Sequence, residues 1–280
     1  VRHSPSTGAT SPDVWGIYEP DTGSIQYVCA DPATKQAALI DVVWNLDPKH
    51  YRFSTGSMDQ VLALVAEQGL TVAWVLDTHP HADHVMASAQ LGRRTGAPTA
   101  IGDRVGDIAR IWAGLYNLPQ AFDPARDFDR LLAPGETIAL GDLSIRVMLS
   151  PGHTLGSVTY VCGDAAFTHD TLMQPDAGTS RADFPGGDSG QLWASIQEIL
   201  SLPGDTRLFV GHDYGTKDRD APQWEATVAR HRAENRHVRD GTRRVDRPAR
   251  RPRRDAAPAR PDHGGAADQP ARRPPAPGRG

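Results

Sequence analysis

The sequence predicts an α/β fold, and three observations support this. Short apolar runs with strand character alternate with helical segments along residues 24–238. The run TVAWVLD (71–77) is continuously apolar, as expected for a strand covered on both faces. Polar residues of the kind that bind ligands follow several of the predicted strands directly, at the strand end where α/β folds collect their sites.

The first half of the chain supplies strands and helices in turn. SIQYVCAD (24–31) and AALIDVV (37–43) predict two strands around a turn-rich DPATKQ. Residues 58–69 have apolar positions at helical spacing, and Gly69 ends that helix. The strand at 71–77 is followed by a predicted helix at 85–96, a short strand at 98–102 and a helical VGDIARIWAGLYNL.

The second half adds strand pairs and two helices. ETIALGDLSIRVMLS (136–150) predicts two strands, and residues 158–170 predict the next pair. A helix is expected at 189–205 with Ser189 as its N-cap, then a strand at 206–213 and an amphipathic helix at 223–238.

The two ends of the chain differ from its body. We expect residues 1–12 to be flexible, residues 13–242 to form one domain, and residues 243–280 to be a disordered tail. That tail has eleven Arg and eight Pro but a single aliphatic side chain, Val245. The whole chain carries a charge of −4 and the tail +7, which leaves −11 for residues 1–242 and argues against nucleic-acid binding.

Other features of the composition are less informative. No apolar run is long enough for a membrane span, so a cytoplasmic protein without a membrane partner is expected. Cys29 and Cys162 are expected to be free thiols in a reducing compartment. The sequence leaves a monomer and a homodimer both open.

The segment THPHADHV (78–85) predicts a metal site. It carries His79, His81, Asp83 and His84 immediately after the buried strand. His153, Asp170 and His212 follow three later strands, and imidazole with carboxylate suits zinc, iron or manganese. His153 or His212 alone would more often be a local hydrogen-bonding residue, whereas the combination favours a shared ion. The histidines at 3, 50, 231, 237 and 263 are interpreted as surface residues.

This arrangement resembles the metallo-β-lactamase superfamily over about residues 13–240. The resemblance implies an αβ/βα sandwich with the metal site at one edge. It further implies a first metal position formed by His79, His81, His153 and Asp170. A second position would use Asp83, His84, Asp170 and His212.

Residues 175–214 resemble the persulfide dioxygenase branch through Arg181, Asp183, Phe184, Gly186, Gly187 and Asp188, followed by Gly-His-Asp-Tyr at 211–214. The resemblance implies one Fe(II) per chain, held by His79, His153 and Asp170 as catalytic residues. It also implies oxidation of glutathione persulfide with O₂ to sulfite and glutathione. Arg181 and Tyr214 are then candidates for binding the substrate; the alternatives are an ion pair of Arg181 with Asp183 or Asp188, and an ordinary half-buried Tyr214.

Two alternatives remain open at this point. The full ligand set also suits a dinuclear Zn(II) thioester hydrolase that resembles glyoxalase II, with Asp170 bridging the metals. A catalytically impaired metal-binding homologue is the third reading. It rests on His169, which stands where the family usually has Gly, and on the tail, which we hypothesise to be a frameshifted ending. If a positive φ is required at 169, the histidine costs stability or metal affinity.

Overall fold

The structure is a computed structural model that describes residues 1–239. The predictions for the tail at 243–280, its disorder and its frameshifted origin, lie outside the described residues. No helix within residues 1–239 combines the length and the apolarity needed to cross a bilayer.

Strands outnumber helices within residues 1–239. In chain order they are β1 (Arg2–Ser4), β2 (Asp13–Tyr18), β3 (Ile25–Ala30), β4 (Gln36–Ile40), β5 (Val43–Asp47), β6 (Arg52–Ser54), β7 (Thr71–Asp77), β8 (Val85–Met86), β9 (Thr99–Gly102), β10 (Arg130–Leu132), β11 (Thr137–Leu140), β12 (Leu143–Leu149), β13 (Val158–Cys162), β14 (Ala165–His169), β15 (Arg207–Val210) and β16 (Glu225–Thr227). The helices are α1 (Gly56–Glu67), α2 (Ser88–Thr95), α3 (Val105–Tyr116), α4 (Pro124–Asp127), α5 (Ser189–Leu200) and α6 (Val228–Glu234).

The strands form two large sheets and one small one. The first sheet has the order β1-β2-β3-β4-β7-β9-β10, with parallel pairing from β4 onwards. The second has the order β11-β12-β13-β14-β15-β16 and is antiparallel except for the β14–β15 pair. A three-stranded β6-β5-β8 unit joins the chain that follows β4 to the segment that follows β7.

The main core lies between the two large sheets. Tyr27 and Leu76 of the first sheet belong to the same buried cluster as Tyr160 and Phe167 of the second. A separate cluster packs α1 and α2 against the outer face of the first sheet, and another packs α5 and α6 against the second. These layers confirm the predicted αβ/βα sandwich, because each amphipathic helix buries its apolar stripe on a sheet face.

Several local predictions differ from the structure. The N-terminal segment predicted to be flexible contains β1, which pairs with β2 and stacks His3 on Trp15 with ring centroids 4.5 Å apart. Such a short polar edge strand has no apolar alternation by which a sequence pattern would detect it. The helix predicted from residue 85 begins at Ser88, because residues 85–86 pair with β5.

The start of the last helix and the N-cap of α5 also differ from the sequence predictions. Residues 225–227 pair with β15, so α6 begins only at Val228, with the Thr227 side chain accepting from Arg230 N. His231 of that helix, interpreted as a surface residue, is fully buried. The N-cap of α5 is Asp188 rather than Ser189: its carboxylate accepts from Gln191 N at 2.7 Å.

Candidate metal centre

The predicted ligands all follow the carboxyl ends of strands. His79, His81, Asp83 and His84 come after β7 in the first sheet. His153 follows β12, Asp170 follows β14 and His212 follows β15, all in the second sheet. The parallel pairing of β14 with β15 brings two of these ends to the same edge. The structure thus brings together all seven side chains that the sequence selected.

A first group surrounds one oxygen of Asp170. Oδ2 of Asp170 lies 3.6 Å from Nε2 of His153 and 3.9 Å from Nε2 of His79. The rings of His79 and His153 are 5.1 Å apart and almost perpendicular. Donor atoms of His79, His81 and Asp170 lie within 4.8 Å of one another, the spacing expected of side chains that share a cation.

A second group lies beside the first. Donor atoms of His81, Asp83, His84 and His212 also lie within 4.8 Å of one another. His212 contacts two carboxylates: its Nδ1 is 2.7 Å from Asp170 Oδ1, and its Nε2 is 3.2 Å from Asp83 Oδ2. His81 and Asp170 therefore connect two adjacent places where a cation would fit.

The donor set fits a divalent transition metal. Within residues 1–239, both ring nitrogens of His81 and of His84 are buried without a hydrogen bond. A buried polar atom without a partner costs free energy, and a cation would supply the missing partner. Burial, reinforced by neighbouring imidazoles, lowers the pKa of His79 and His84 well below the usual value. Neutral imidazole is the form that binds metals.

Charge in the site is concentrated on Asp170, Asp83 and His212. Burial opposes the ionisation of Asp170, yet His212 and the other imidazoles hold its pKa below the usual range. Burial alone would lower the pKa of His212, but Asp170 and Asp83 raise it to about 10. The two carboxylates thus favour the protonated, positively charged form of His212.

Hydrogen bonds fix which nitrogen each inner histidine presents. His79 Nδ1 is 3.0 Å from Thr78 Oγ1, and that hydroxyl donates to Asp41 Oδ2 at 2.7 Å. His153 Nδ1 is 2.9 Å from the carbonyl oxygen of Arg181. Both histidines therefore direct Nε2 towards Asp170, since an imidazole whose Nδ1 is engaged offers its other nitrogen to a metal.

Asp41 is a residue of the site that the sequence analysis missed. It directly follows β4, is buried, and lies with Oδ1 3.6 Å from Nε2 of His81. Its φ of +52° is unusual for a residue other than glycine. The signal was present: β4 is parallel to β7, so the carboxylate in ALIDVV belongs to the same sheet edge as THPHADH.

His169 has a left-handed backbone conformation of the kind that favours glycine. Its φ is +41°, at an irregularity in the β14–β15 pairing. The side chain is buried, with Nε2 3.0 Å from Ser150 Oγ and 2.8 Å from Thr171 Oγ1. These bonds direct Nε2 to neighbouring hydroxyls, and the ring centroid is 5.0 Å from that of His79. His169 is therefore a buried neighbour of His79 whose Nε2 is engaged by hydroxyl groups.

The two candidate substrate residues lie next to the ligands but are already engaged. Arg181 makes a two-pronged ion pair with Asp183, the alternative considered from the sequence, and covers the ring of Phe184. Phe184 in turn meets His153 edge-on at 5.3 Å. Tyr214 stacks on His212 and donates to Asp83 Oδ2 at 3.3 Å, while 45% of the residue remains exposed.

Known proteins resemble this chain in both sequence and structure. A Beta-lactamase hydrolase-like protein of Xylella fastidiosa is 53% identical over 81% of this chain, and the match covers 53% of that relative. The chain thus spans about half the length of that curated relative. A Hydroxyacylglutathione hydrolase of Acidiphilium cryptum is 37% identical over 54% of each chain. Persulfide dioxygenase ETHE1 of Homo sapiens is 29% identical, covering 71% of this chain and 67% of the relative.

A solved structure and a family profile extend the comparison. The crystal structure of ETHE1 from Myxococcus xanthus superposes with a TM-score of 0.64 and 29% identity, covering 82% of this chain and 86% of the other. The profile of the Metallo-beta-lactamase superfamily matches residues 26–212, a span that contains all seven clustered side chains. The chain belongs to the metallo-β-lactamase superfamily.

Proposed function

We propose that this protein is a non-haem iron persulfide dioxygenase with one Fe(II) per chain. The observation that carries the proposal is the convergence of His79, His153 and Asp170, two imidazoles and one carboxylate, around Asp170 Oδ2. The reaction would convert glutathione persulfide, O₂ and water into glutathione and sulfite. The outer sulfur loses four electrons to O₂, and its bond to the glutathione sulfur breaks.

The residues of the site suit this chemistry. Fe(II) bound by two histidines and one carboxylate would offer adjacent open positions to the persulfide sulfur and O₂. His212 occupies the other oxygen of Asp170, so that Oδ2 remains available on the side of His79 and His153. Phe184 packs edge-on against His153 and places an apolar ring beside the proposed iron position.

Arg181 and Tyr214 are the proposed contacts to the glutathione portion. Arg181 and Asp183 are about half exposed, so breaking this ion pair costs about 0–1 kcal/mol. A substrate carboxylate would then replace Asp183 as the partner of Arg181 at little cost in free energy. Tyr214 has an exposed face beside His212, and its hydroxyl is already held near the ligands by Asp83. Both side chains thus lie within reach of a substrate whose sulfur is placed next to Asp170.

A dinuclear zinc thioester hydrolase of the glyoxalase II kind is the second candidate. The observation that favours it is the complete second group, His81, Asp83, His84 and His212, beside the first. Metal ions held by these two groups, with Asp170 between them, would lower the pKa of a water molecule and so supply the attacking hydroxide. The similarity to a Hydroxyacylglutathione hydrolase points the same way. A metal-binding homologue without activity is the third candidate.

One experiment separates these three functions. The purified protein is analysed for iron and zinc, then assayed for O₂ uptake with glutathione persulfide and for cleavage of a glutathione thioester. His153→Ala and His84→Ala form a matched pair, because each removes one buried imidazole. The dioxygenase predicts iron, O₂ uptake, loss of activity in His153→Ala and retention in His84→Ala.

The opposite results identify the alternatives. Two zinc ions per chain, thioester cleavage and equal loss of activity in both variants would replace the dioxygenase with the hydrolase. Bound metal without either reaction would favour the inactive homologue.

A further inference from the structure

One loop connects two of the groups that define the proposed iron site. This loop, residues 170–181, is called the ligand loop here. It begins at Asp170 and ends at Arg181, whose carbonyl oxygen is 2.9 Å from His153 Nδ1. The position of the ligand loop therefore determines both where the carboxylate lies and which nitrogen of His153 faces it.

The chain after α6 holds the middle of the ligand loop. Asn235 Nδ2 donates to the carbonyl of Gly178 at 2.9 Å, and both groups are buried. His237 Nδ1 accepts from the backbone N–H of Thr179 at 3.1 Å and lies 3.0 Å from its hydroxyl. These contacts join residues that are 57 and 58 positions apart in sequence.

Backbone contacts support the same arrangement. The N–H of Arg236 donates to the carbonyl of Pro175 at 3.0 Å, and Asn235 Oδ1 accepts from the N–H of His237 at 3.0 Å. Gly178 has a φ of +100°, and a Cβ there would lie 2.5 Å from Nδ1 of His237. The imidazole thus packs directly on the backbone of the ligand loop, where only glycine leaves room for it.

We propose that Asn235 and His237 are positioning residues for the metal centre. By fixing the ligand loop they place the Arg181 carbonyl, which keeps the proton of His153 on Nδ1 and leaves Nε2 free for the cation. This inference rests on the proposed metal-dependent function. Neither residue lies among the clustered ligands, so any effect on metal binding must pass through the loop. Groups that orient a ligand histidine typically change metal affinity by about 10–100-fold.

The test compares two substitutions in the full-length chain. His237→Asn keeps an acceptor, the amide oxygen, close to the place of Nδ1, whereas His237→Leu retains bulk without any acceptor. Co²⁺ serves as the probe: its affinity is measured by competition with a chelator, and its visible spectrum reports the ligand geometry. We expect about tenfold weaker Co²⁺ binding and an altered spectrum for His237→Leu, and values within about threefold of the parent for His237→Asn.

Two further variants keep the test decisive. Asp164→Asn lowers stability at the opposite end of β14 without touching the ligand loop, so its Co²⁺ affinity should match that of the unaltered protein. Thr179→Val removes one of the two groups that contact His237 Nδ1, and it should weaken binding in the same direction but less. If His237→Leu does not fold, Thr179→Val takes its place in the comparison of Co²⁺ affinities.

Certain outcomes would overturn the inference. One is a His237→Leu protein that melts earlier, as Asp164→Asn does, yet binds Co²⁺ with the affinity and spectrum of the parent. Another is a His237→Asn protein as impaired as His237→Leu. Co²⁺ binding that behaves as expected, in a protein without O₂ uptake or thioester cleavage, would reject the proposed function while the positioning role stands. A parent protein that binds no Co²⁺ would reject both.

Discussion

Removal of the Asp188 carboxylate should destabilise the fold without weakening metal binding. Asp188 is the N-cap of α5, and its side chain accepts from Gln191 N at 2.7 Å. In Asp188→Ala that N–H loses its acceptor, while the Asp188 backbone still donates to Gly152, the neighbour of His153. The cap contributes about 1 kcal/mol, and the charge near the helix N-terminus up to about 1 kcal/mol more.

The expected total is about 1–2 kcal/mol, or roughly 2–8 °C in Tm for a domain of this size. Thermal and urea unfolding are followed by circular dichroism in the presence of a chelator, so that bound metal does not contribute to stability. Asp188→Asn is the matched control, since it keeps the acceptor and loses only the charge. Ser189→Ala tests the residue that the sequence analysis selected, and it should stay within about 0.5 kcal/mol of the parent.

A loss of stability in Ser189→Ala as large as that in Asp188→Ala would refute the assignment of Asp188 as the N-cap, because the cap would then lie one residue later. A second contradicting result would be an Asp188→Ala protein that loses more free energy of Co²⁺ binding than free energy of unfolding. The carboxylate would then act on His153 and not on the helix.

Three other substitutions test separate parts of the structure. Gly152→Ala should cost about 3–5 kcal/mol in urea unfolding, since φ is +127° and the new Cβ would lie 2.1 Å from the Leu192 backbone nitrogen; a cost below 1 kcal/mol contradicts that close approach. His169→Gly relieves about 1 kcal/mol of backbone strain but opens a cavity in the core, so a net loss of about 1–3 kcal/mol is expected, and a gain in Tm would show that strain dominates. Burial alone would raise the pKa of Asp164, but hydrogen bonds, that from Arg207 first, lower it below the usual value. We therefore expect Asp164→Asn to destabilise the fold by roughly 1–3 kcal/mol above about pH 4. This difference should vanish as the pH falls through the folded-state pKa of Asp164. A difference in the free energy of unfolding that does not depend on pH would contradict the ion pair.

The strand patterns predicted an α/β fold and the clustering of polar residues at strand ends, whereas the αβ/βα layers were implied by the resemblance to the metallo-β-lactamase superfamily. Continuous apolar character placed β7 inside the sandwich, and the polar residues after β7, β12, β14 and β15 had to meet at strand ends. Placement at strand ends was therefore sufficient to select His79, His153 and Asp170 among the seven candidate ligands, whereas their role as an iron-binding set was implied by the family resemblance.

Features that depend on pairing between distant segments could not be predicted in this way. β1 and β16 are three-residue edge strands, formed because a neighbouring strand offers its backbone, and neither has an alternating pattern of its own. His231 and His237 were interpreted as surface residues, and no role was assigned to them. Their environment is set by α5, the ligand loop and the β16–α6 junction, which only the folded chain brings together.

The donors of the candidate metal centre come from both halves of the sandwich. His79 and His81 extend from the first sheet, while His153, Asp170 and His212 extend from the second. A cation bound between them would link the two sheets at the edge of the core, and separation of the sheets would require release of the cation. At a free cation concentration one hundred times Kd, this binding would add about 2.7 kcal/mol to the free energy of unfolding. Sensitivity to chelators would then be a property of the whole fold as well as of catalysis.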